Sequence, residues 1–225
     1  MIRVLLVDDE TLIRSGLRAL LSTADAIEVV AEGASGTDAL RLAVQHPADV
    51  VLMDIQMPGM NGLAATAALT ALPQPPKVLL LTNLDADENV LQALAAGAHG
   101  FLRKTASPDQ IVNSVRLVAS GGTALMPEQV RSLLGEARLQ SPQRARTARA
   151  RLAELNDRQR EILVLVGHGH SNAHIARTLR MTEGTVKTYL SRILGLLGLE
   201  NRTQAALLIY DAGLLSGGSD KPSTR

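Results

Sequence analysis

Through residue 120, short apolar runs alternate with segments whose apolar positions recur at helical spacing. The runs are RVLLV, IEVVAE, DVVLM, KVLLLT and HGFLRK, and helical segments such as TDALRLAVQH and PDQIVNSVRLVAS follow them. Four of the five runs are dense in Val, Leu or Ile without alternation, which is typical of strands covered on both faces. The pattern predicts an α/β fold, with a doubly wound, five-stranded parallel sheet and right-handed crossovers.

Chemically active residues stand where these runs end. Asp8 and Asp9 end the first run, Asp54 the third, Thr82 the fourth and Lys104 the fifth. Ligands of such folds bind beyond the carboxyl ends of the strands, which meet at one edge of the sheet. We therefore expect three carboxylates, a hydroxyl and an amine to converge there.

This residue set favours a magnesium-dependent phosphoryl site. Converging carboxylates repel one another, and Lys104 offsets only one of their charges. A divalent cation would offset the remainder, and oxygen ligands without nearby Cys or His favour Mg²⁺. With a phosphate bound there, one carboxylate could act as nucleophile and form an acyl phosphate. The alternative is that Asp8, Asp9 and Glu10 cap a helix, Asp54 is a turn residue and Lys104 is a surface lysine, but the coincidence at successive strand ends favours a site.

The motifs DDE, VLMDIQMPGMNG, LLT and GFLRK, at the ends of the first, third, fourth and fifth runs, resemble the receiver domain of two-component response regulators. The likeness covers residues 2 to about 120. It implies a flavodoxin-like sheet in which Asp54 is the phospho-acceptor. It also implies that Thr82 is the switch hydroxyl, Lys104 the ion-pairing lysine and Phe101 the switch aromatic.

The resemblance extends to the metal and to the lifetime of the phosphorylated form. It implies that Mg²⁺ is bound by Asp9, Asp54 and the backbone carbonyl of Gln56, with Asp8 acting mainly through water. Phosphorylation is expected to shift the population between two existing states. Because Leu84, which flanks the site, cannot orient water, we predict slow autodephosphorylation.

The second part of the chain has a different pattern. Residues 1–120 are interpreted as the receiver domain and 121–151 as a linker, in which PEQVRSLLGEARL can form a short helix before the arginine-rich SPQRARTARAR. Residues 152–215 predict an all-α domain of four helices, LNDRQREILVLVGHG, SNAHIARTLR, TEGTVKTYLSRILGLLG and RTQAALLIYDAG. Residues 216–225 are expected to be a flexible tail.

Charge separates the two parts, although the whole chain carries only +1. Residues 1–120 hold 8 Lys/Arg against 13 Asp/Glu, giving −5, whereas residues 121–225 hold 15 against 9, giving +6. A basic second half indicates a polyanionic partner. Aromatic residues make up only 1% of the chain, which argues against the base-stacking surfaces that bind single strands.

The segment from Leu155 to about Leu215, with SNAHIARTLRMTEGTVKTYLSRILGLLG at its centre, resembles the helix-turn-helix of NarL/FixJ (LuxR-type) regulators. The resemblance implies a recognition helix from about Glu183 to Leu197 that enters the major groove of double-stranded DNA. The residues that would face bases or phosphates are Thr182, Thr185, Lys187, Thr188, Ser191, Arg192 and Arg202. In this family the last helix pairs two copies on DNA, although its apolar residues could simply pack in the core.

Other sequence features bear on where the protein is located and on whether it has other metal sites. The absence of cysteine excludes disulfides and thiolate zinc sites, and no apolar run approaches the roughly 20 residues of a membrane span. We expect a cytoplasmic protein without a signal peptide. His168, His170 and His174 have spacing that could suit a metal, but without a carboxylate partner beside them solvated histidines are the better interpretation.

The combined interpretation is a DNA-binding transcriptional response regulator. The expected partners are a sensor histidine kinase, promoter DNA and a second copy of the chain, with RNA polymerase as a further candidate. Beyond its own phosphorylation and slow dephosphorylation, we expect no enzymatic activity. Three alternatives remain: a Mg²⁺-dependent phosphatase, which would place its nucleophile after the first strand, a dinucleotide enzyme, which would need a GxGxxG turn, and a regulator that works without phosphorylation. For the helical part, a hairpin for protein contacts is the alternative.

Overall fold

The computed structural model describes residues 1–82, 96–124 and 142–215. A parallel sheet forms the first domain, with strand order β2-β1-β3-β4-β5. This order places β1 and β3 at the topological switch point where such folds bind ligands, and it confirms the predicted α/β class. The strands are β1 Ile2–Val7, β2 Ile27–Gly33, β3 Val50–Asp54, β4 Lys77–Thr82 and β5 Gly100–Arg103.

Two apolar layers cover the sheet, which explains why its strands show no alternation. Successive residues of β1, Val4, Leu5 and Leu6, are all fully buried but pack into opposite layers. One layer contains α1 (Thr11–Ser22) and α4 (Pro108–Ala119), and the other contains α2 (Gly36–Gln45) and α3 (Gly62–Thr70). The helix expected in ENVLQALAAG lies largely outside the described residues.

Short polar side chains begin several of these helices. The Ser107 hydroxyl accepts a hydrogen bond from the Gln110 amide, and the Gln110 side-chain oxygen accepts one from the Ser107 amide, with Pro108 in the first turn. Asn61 caps α3 by accepting from the Ala64 amide. These caps fix where each helix starts after its loop.

The second domain contains the four predicted helices and one more. The helices are α5 Pro142–Ala153, α6 Asp157–Gly167, α7 Asn172–Leu179, α8 Glu183–Leu196 and α9 Arg202–Asp211. Helix α5 lies mostly inside the range 121–151 that the sequence suggested as a linker, and its last two residues fall in the range predicted as the helical domain. Its Ala148 and Leu152, four residues apart, are 3% exposed each and belong to the core of this domain. The expected helix in PEQVRSLLGEARL and the expected tail at 216–225 lie outside the described residues.

The domains meet beside the amino-terminal ends of β4 and β5. Thr203, in the first turn of α9, donates its hydroxyl hydrogen to the Ala98 carbonyl at 2.8 Å, and the Thr123 amide donates to the Gly169 carbonyl at 3.3 Å. Ala124 forms an isolated parallel bridge with Gly100 in β5. Receiver and helical domain are therefore joined at the end of the sheet opposite the predicted phosphoryl site.

Within the part of the chain that the structure describes, no helix is both long and apolar enough to cross a membrane.

Candidate functional site

The carboxyl ends of β1 and β3 bring three aspartates together. One carboxylate oxygen each from Asp8, Asp9 and Asp54 lies within 4.8 Å of the others. Asp8 is fully buried, Asp54 is 3% exposed and Asp9 is exposed. Two buried acids beside an accessible one form a pocket that is open on the side of Asp9.

Lys104, which follows β5, provides the positive charge of this pocket. Its Nζ lies 2.9 Å from Asp8 Oδ2, 2.9 Å from Asp54 Oδ2 and 3.2 Å from Glu10 Oε1. Burial lowers the pKa of Lys104, but the bonds to Asp8, Asp54 and Glu10 outweigh burial and hold the pKa above its ordinary value. The lysine is therefore a permanent cation.

Opposing effects act on the pKa of Asp54, the predicted nucleophile. Burial raises the pKa of its carboxyl group, while the hydrogen bond and charge of Lys104 and the Gln56 amide N–H oppose that rise. The Asp8 charge adds to the rise. A further cation in the pocket would favour the ionised, nucleophilic form.

Asp8 shows why the pocket fits a divalent cation. Although Oδ2 lies at ion-pair distance from Lys104, it accepts no well-directed hydrogen bond. Its Oδ1 accepts from the Glu10 amide at 2.9 Å, and its main-chain oxygen accepts from Arg14 at 2.6 Å. The three carboxylates share the single positive charge of Lys104, so a divalent cation would offset the remaining negative charge, and their oxygen ligands suit Mg²⁺.

Glycine makes room beside Asp54, the predicted phospho-acceptor. A Cβ atom at Gly62 would lie 2.2 Å from the Asp54 carbonyl oxygen and 2.9 Å from Ile55 Cα. The Gly62 amide donates to the Ile55 carbonyl at 2.9 Å, so the loop folds back onto the end of β3. Gly62 was not among the site residues predicted from the sequence. The Gly at the start of a helix, after the motif MPGMN, was the available signal.

The remaining receiver residues are placed as follows. Thr82 ends β4, and its carbonyl accepts the Lys104 amide at 2.9 Å. Phe101 is 2% exposed in the core, and its amide donates to the Ala124 carbonyl. The structure shows a Gln56 amide contact with Asp54, while a metal role for the Gln56 carbonyl stays a prediction. Leu84 lies outside the described residues, so slow autodephosphorylation also stays a prediction.

The outer face of α8 is accessible. Thr182 caps the helix by accepting from the Thr185 amide at 3.1 Å, and the two hydroxyls lie 2.8 Å apart. The Thr188 hydroxyl donates to the Gly184 carbonyl. All of the residues proposed on this helix and its cap are exposed, namely Thr182, Thr185, Lys187, Thr188, Ser191 and Arg192.

Arg202 is placed differently from the other proposed DNA contacts. It is half-buried and donates to Asn172 Oδ1 at 2.7 Å and to the His170 carbonyl. Burial lowers the pKa of Arg202 to about 10. Its guanidinium holds the turn before α7 to the start of α9, so a phosphate contact, which stays a prediction, would compete with these bonds.

Several other arginines of the basic half serve main-chain carbonyls. Arg151 donates to the Leu197 carbonyl that ends α8, and Arg149 donates to the Ala212 carbonyl that ends α9. Arg158 donates to the Leu179 carbonyl at the end of α7. Cations at helix carboxyl ends satisfy unpaired carbonyls and offset the helix dipole. Part of the positive charge therefore stabilises the fold.

The three histidines stack. Ring centroids lie 6.1 Å apart for His168 and His170, and 4.0 Å apart for His170 and His174, with the latter rings 12° from parallel. Burial, then the charges of His174 and His168, lower the pKa of His170. Among the described residues, the aspartate cluster is the group whose ligand atoms converge as a metal site requires.

Comparison with known proteins agrees with both halves of this geometry. Residues 4–116 match the response regulator receiver domain, and residues 153–209 match the bacterial regulatory proteins of the luxR family. The chain is 37% identical over 210 residues to the transcriptional regulatory protein LnrK of Bacillus subtilis, covering 92% of this chain and 96% of LnrK. It is 38% identical over 216 residues to the response regulator protein VraR of Staphylococcus aureus, covering 95% of this chain and 99% of VraR.

A solved structure shares this arrangement of domains. The response regulator ChrA of a heme-sensing two-component system has 37% sequence identity and a TM-score of 0.53, covering 95% of this chain and 98% of ChrA. The paired aspartates after β1, the aspartate after β3 and the helix-turn-helix thus occur in one chain with full-length regulatory relatives. The chain belongs to the LuxR family of response regulators, transcription regulators in which a receiver domain precedes a LuxR-type DNA-binding domain.

Proposed function

We propose that a sensor histidine kinase phosphorylates Asp54 and that this changes dimerisation and promoter binding. The observation that carries the proposal is the convergence of Asp8, Asp9, Asp54 and Lys104 at one edge of the sheet. Each residue has a defined part in phosphoryl transfer. A cytoplasmic location suits a regulator that acts on chromosomal DNA.

The chemistry is a displacement at phosphorus. An Asp54 carboxylate oxygen forms a bond to phosphorus while the bond from phosphorus to the donor nitrogen breaks, and the imidazole leaves with the electron pair. Lys104, 2.9 Å from Asp54 Oδ2, is placed to contact a phosphoryl oxygen. Asp8, Asp9 and Asp54 would hold Mg²⁺, which would neutralise further charge on the phosphoryl group.

The signal has a short route through the main chain to the DNA-binding domain. The amide of Phe101, the proposed switch aromatic, donates to the Ala124 carbonyl at 3.2 Å, and the adjacent Thr123 donates to Gly169. Packing on the α2–α3 face of the sheet is also continuous with the core of the helical domain. A change at β5 would therefore alter the domain contact and shift the population of DNA-competent chains.

The exposed face of α8 is the proposed DNA-reading surface. Lys187 and Arg192 would meet phosphates or base edges, and the hydroxyls of Thr182 and Thr185 stand at the positive end of the helix. A dimer would read two half-sites. RNA polymerase is a further candidate partner, in keeping with transcription regulation.

Phosphorylation is tested by incubating the protein with acetyl phosphate and Mg²⁺ and measuring intact mass. We expect one phosphoryl group on the unaltered chain, none on Asp54→Asn, and an unchanged result for the exposed Asp109→Asn, which lies in the first turn of α4. A phosphate that persists in Asp54→Asn would contradict the assignment. Footprinting of promoter DNA with and without the donor then measures the effect on binding.

A further inference from the structure

Lys104 has a carboxylate partner that the phosphoryl site does not require. Its Nζ donates hydrogen bonds to Asp54 at 2.9 Å and to Glu10 at 3.2 Å, and lies 2.9 Å from Asp8 without a well-directed hydrogen bond. An ammonium group has only three N–H donors. The three nearby carboxylates leave no N–H of Lys104 free, so an incoming phosphoryl oxygen must take the place of one of them.

Glu10 is not held in this position by a capping role. It occupies the residue before α1, where acidic side chains often accept from helix amides, but its side chain makes no such bond. Its own amide donates to Asp8 Oδ1 at 2.9 Å, which fixes its main chain beside the pocket. The contact with Lys104 is the hydrogen bond that orients its carboxylate.

The three acids differ in how easily they release the lysine. The side chain of Glu10 is 57% exposed, whereas those of Asp8 and Asp54 are 0% and 5% exposed. A released Glu10 carboxylate would be hydrated at once, while a released Asp8 would remain a buried, unpaired charge. Glu10 is thus the partner that Lys104 exchanges at least cost.

We propose that Glu10 is a positioning residue that occupies one N–H of Lys104 in the unphosphorylated chain and yields it to a phosphoryl oxygen. This inference rests on the proposed function and deepens it. Glu10 holds Lys104 partly neutralised and adds negative charge to the mouth of the pocket. It therefore slows phosphorylation and at the same time favours Mg²⁺ binding.

Glu10→Gln tests both effects, because it keeps the side-chain length and removes the charge. With acetyl phosphate, an Asp54 oxygen bonds to phosphorus and acetate leaves with the electron pair of the broken P–O bond. At saturating Mg²⁺ we expect the initial rate of phosphate incorporation to rise about two- to fivefold. Mg²⁺ titrated calorimetrically into the unphosphorylated protein should bind about two- to fivefold more weakly.

Glu28→Gln is the matched control. It removes the same charge from an exposed residue near the start of β2, at the opposite edge of the sheet, and should leave both quantities unchanged. Damage to the pocket by Glu10→Gln would lower the rate together with the affinity, and that result, like an unchanged rate, would overturn the role of Glu10. Failure of the unaltered chain to accept phosphate would instead overturn the proposed function, and this role with it.

Discussion

Gly62 shows how much of the site depends on a residue without a side chain. The end of β3 and the start of α3 approach so closely that even a methyl group would overlap the Asp54 carbonyl oxygen. Main chain cannot move aside as a flexible side chain can. The position of Asp54, the proposed phospho-acceptor, therefore depends on the size of residue 62.

Gly62→Ala is expected to destabilise the receiver by about 2 kcal/mol or more, because overpacking must shift the main chain of Asp54. The same shift should lower the initial rate of phosphorylation by acetyl phosphate about tenfold or more. Urea denaturation and intact-mass time courses measure the two effects.

Gly16→Ala is the control, because a Cβ at Gly16 in α1 meets no atom within 4 Å. It should be neutral or stabilise by about 0.5–1 kcal/mol, as alanine does in a helix. Equal behaviour of the two variants would contradict the steric argument.

Individual residues also show what the sequence could reveal. Asp8, Asp9, Asp54 and Lys104 were predicted together because the carboxyl ends of parallel strands meet at one edge, whatever the details of packing. Glu10 could not be assigned in this way, because its role depends on whether its side chain caps α1 or reaches Lys104.

Among the elements, the β4–β5 pair depends on a neutral histidine. His99 Nδ1 accepts the Val78 amide at 3.2 Å, and the His99 amide donates to the Val78 carbonyl at 2.7 Å. Burial lowers the pKa of His99 from 6.5 to about 4, and the positive charges of Lys77 and Arg202 add to this effect. The charged form is therefore disfavoured in the folded chain.

This lowered pKa predicts a loss of stability in acid. Between pH 6.5 and about 4 the unfolded chain binds a proton at His99 and the folded chain does not, so stability falls as the pH falls through this window. Relative to His99→Asn, which can keep an acceptor for Val78, the unaltered chain should lose up to about 3 kcal/mol of unfolding free energy.

Urea denaturation of both proteins at several pH values measures this difference, from which the titration of Asp54 and other shared groups cancels. A difference that stays constant from neutral pH to pH 4 would show that His99 titrates normally in the folded state.

Helix α5 could not be predicted from the pattern of apolar and polar residues. The segment SPQRARTARAR suggested a linker because the helical pattern weakens there and the segment carries several arginines and no acid. In the structure Arg149 and Arg151 bond to carbonyls at the ends of other helices, while only Ala148 and Leu152 enter the core. Two apolar positions are too few to predict a packed helix from the sequence. The carbonyl groups that the arginines contact are distant along the chain, so these contacts leave no local sequence pattern.

At the scale of the whole molecule, the buried hydroxyl of Thr203 links α9 to the receiver. It is one of two direct hydrogen bonds described between the domains, the other joining Thr123 to Gly169. The like charges of Lys187 on α8 and Lys77 in β4 repel each other across this contact; burial and this repulsion lower the pKa of Lys77, while the charge of Asp49 opposes them. The contact thus balances specific bonds against repulsion.

Thr203→Val should loosen the contact, because it keeps the shape of the side chain but leaves the Ala98 carbonyl without this donor. We expect hydrogen exchange at the Thr123 amide to accelerate about tenfold. Thr203→Ser retains the hydroxyl and should exchange at nearly the rate of the unaltered chain. If the Thr123 amide of Thr203→Val exchanged at the rate of the unaltered chain, the Thr203 hydroxyl would not hold the domains together.

The arginines that cap helices have a consequence for how the protein meets a duplex. Arg149, Arg151 and Arg158 each direct an N–H to a main-chain carbonyl at a helix end, which restrains their guanidinium groups there, so we expect them to displace fewer of the counterions condensed on DNA than unrestrained arginines would. The release falls mainly to exposed Arg177, Arg180, Lys187 and Arg192. Rising salt should then weaken DNA binding less steeply than a charge of +6 on residues 121–225 suggests. Discrimination between promoters should in turn depend more on the hydroxyl groups of α8, the proposed recognition helix.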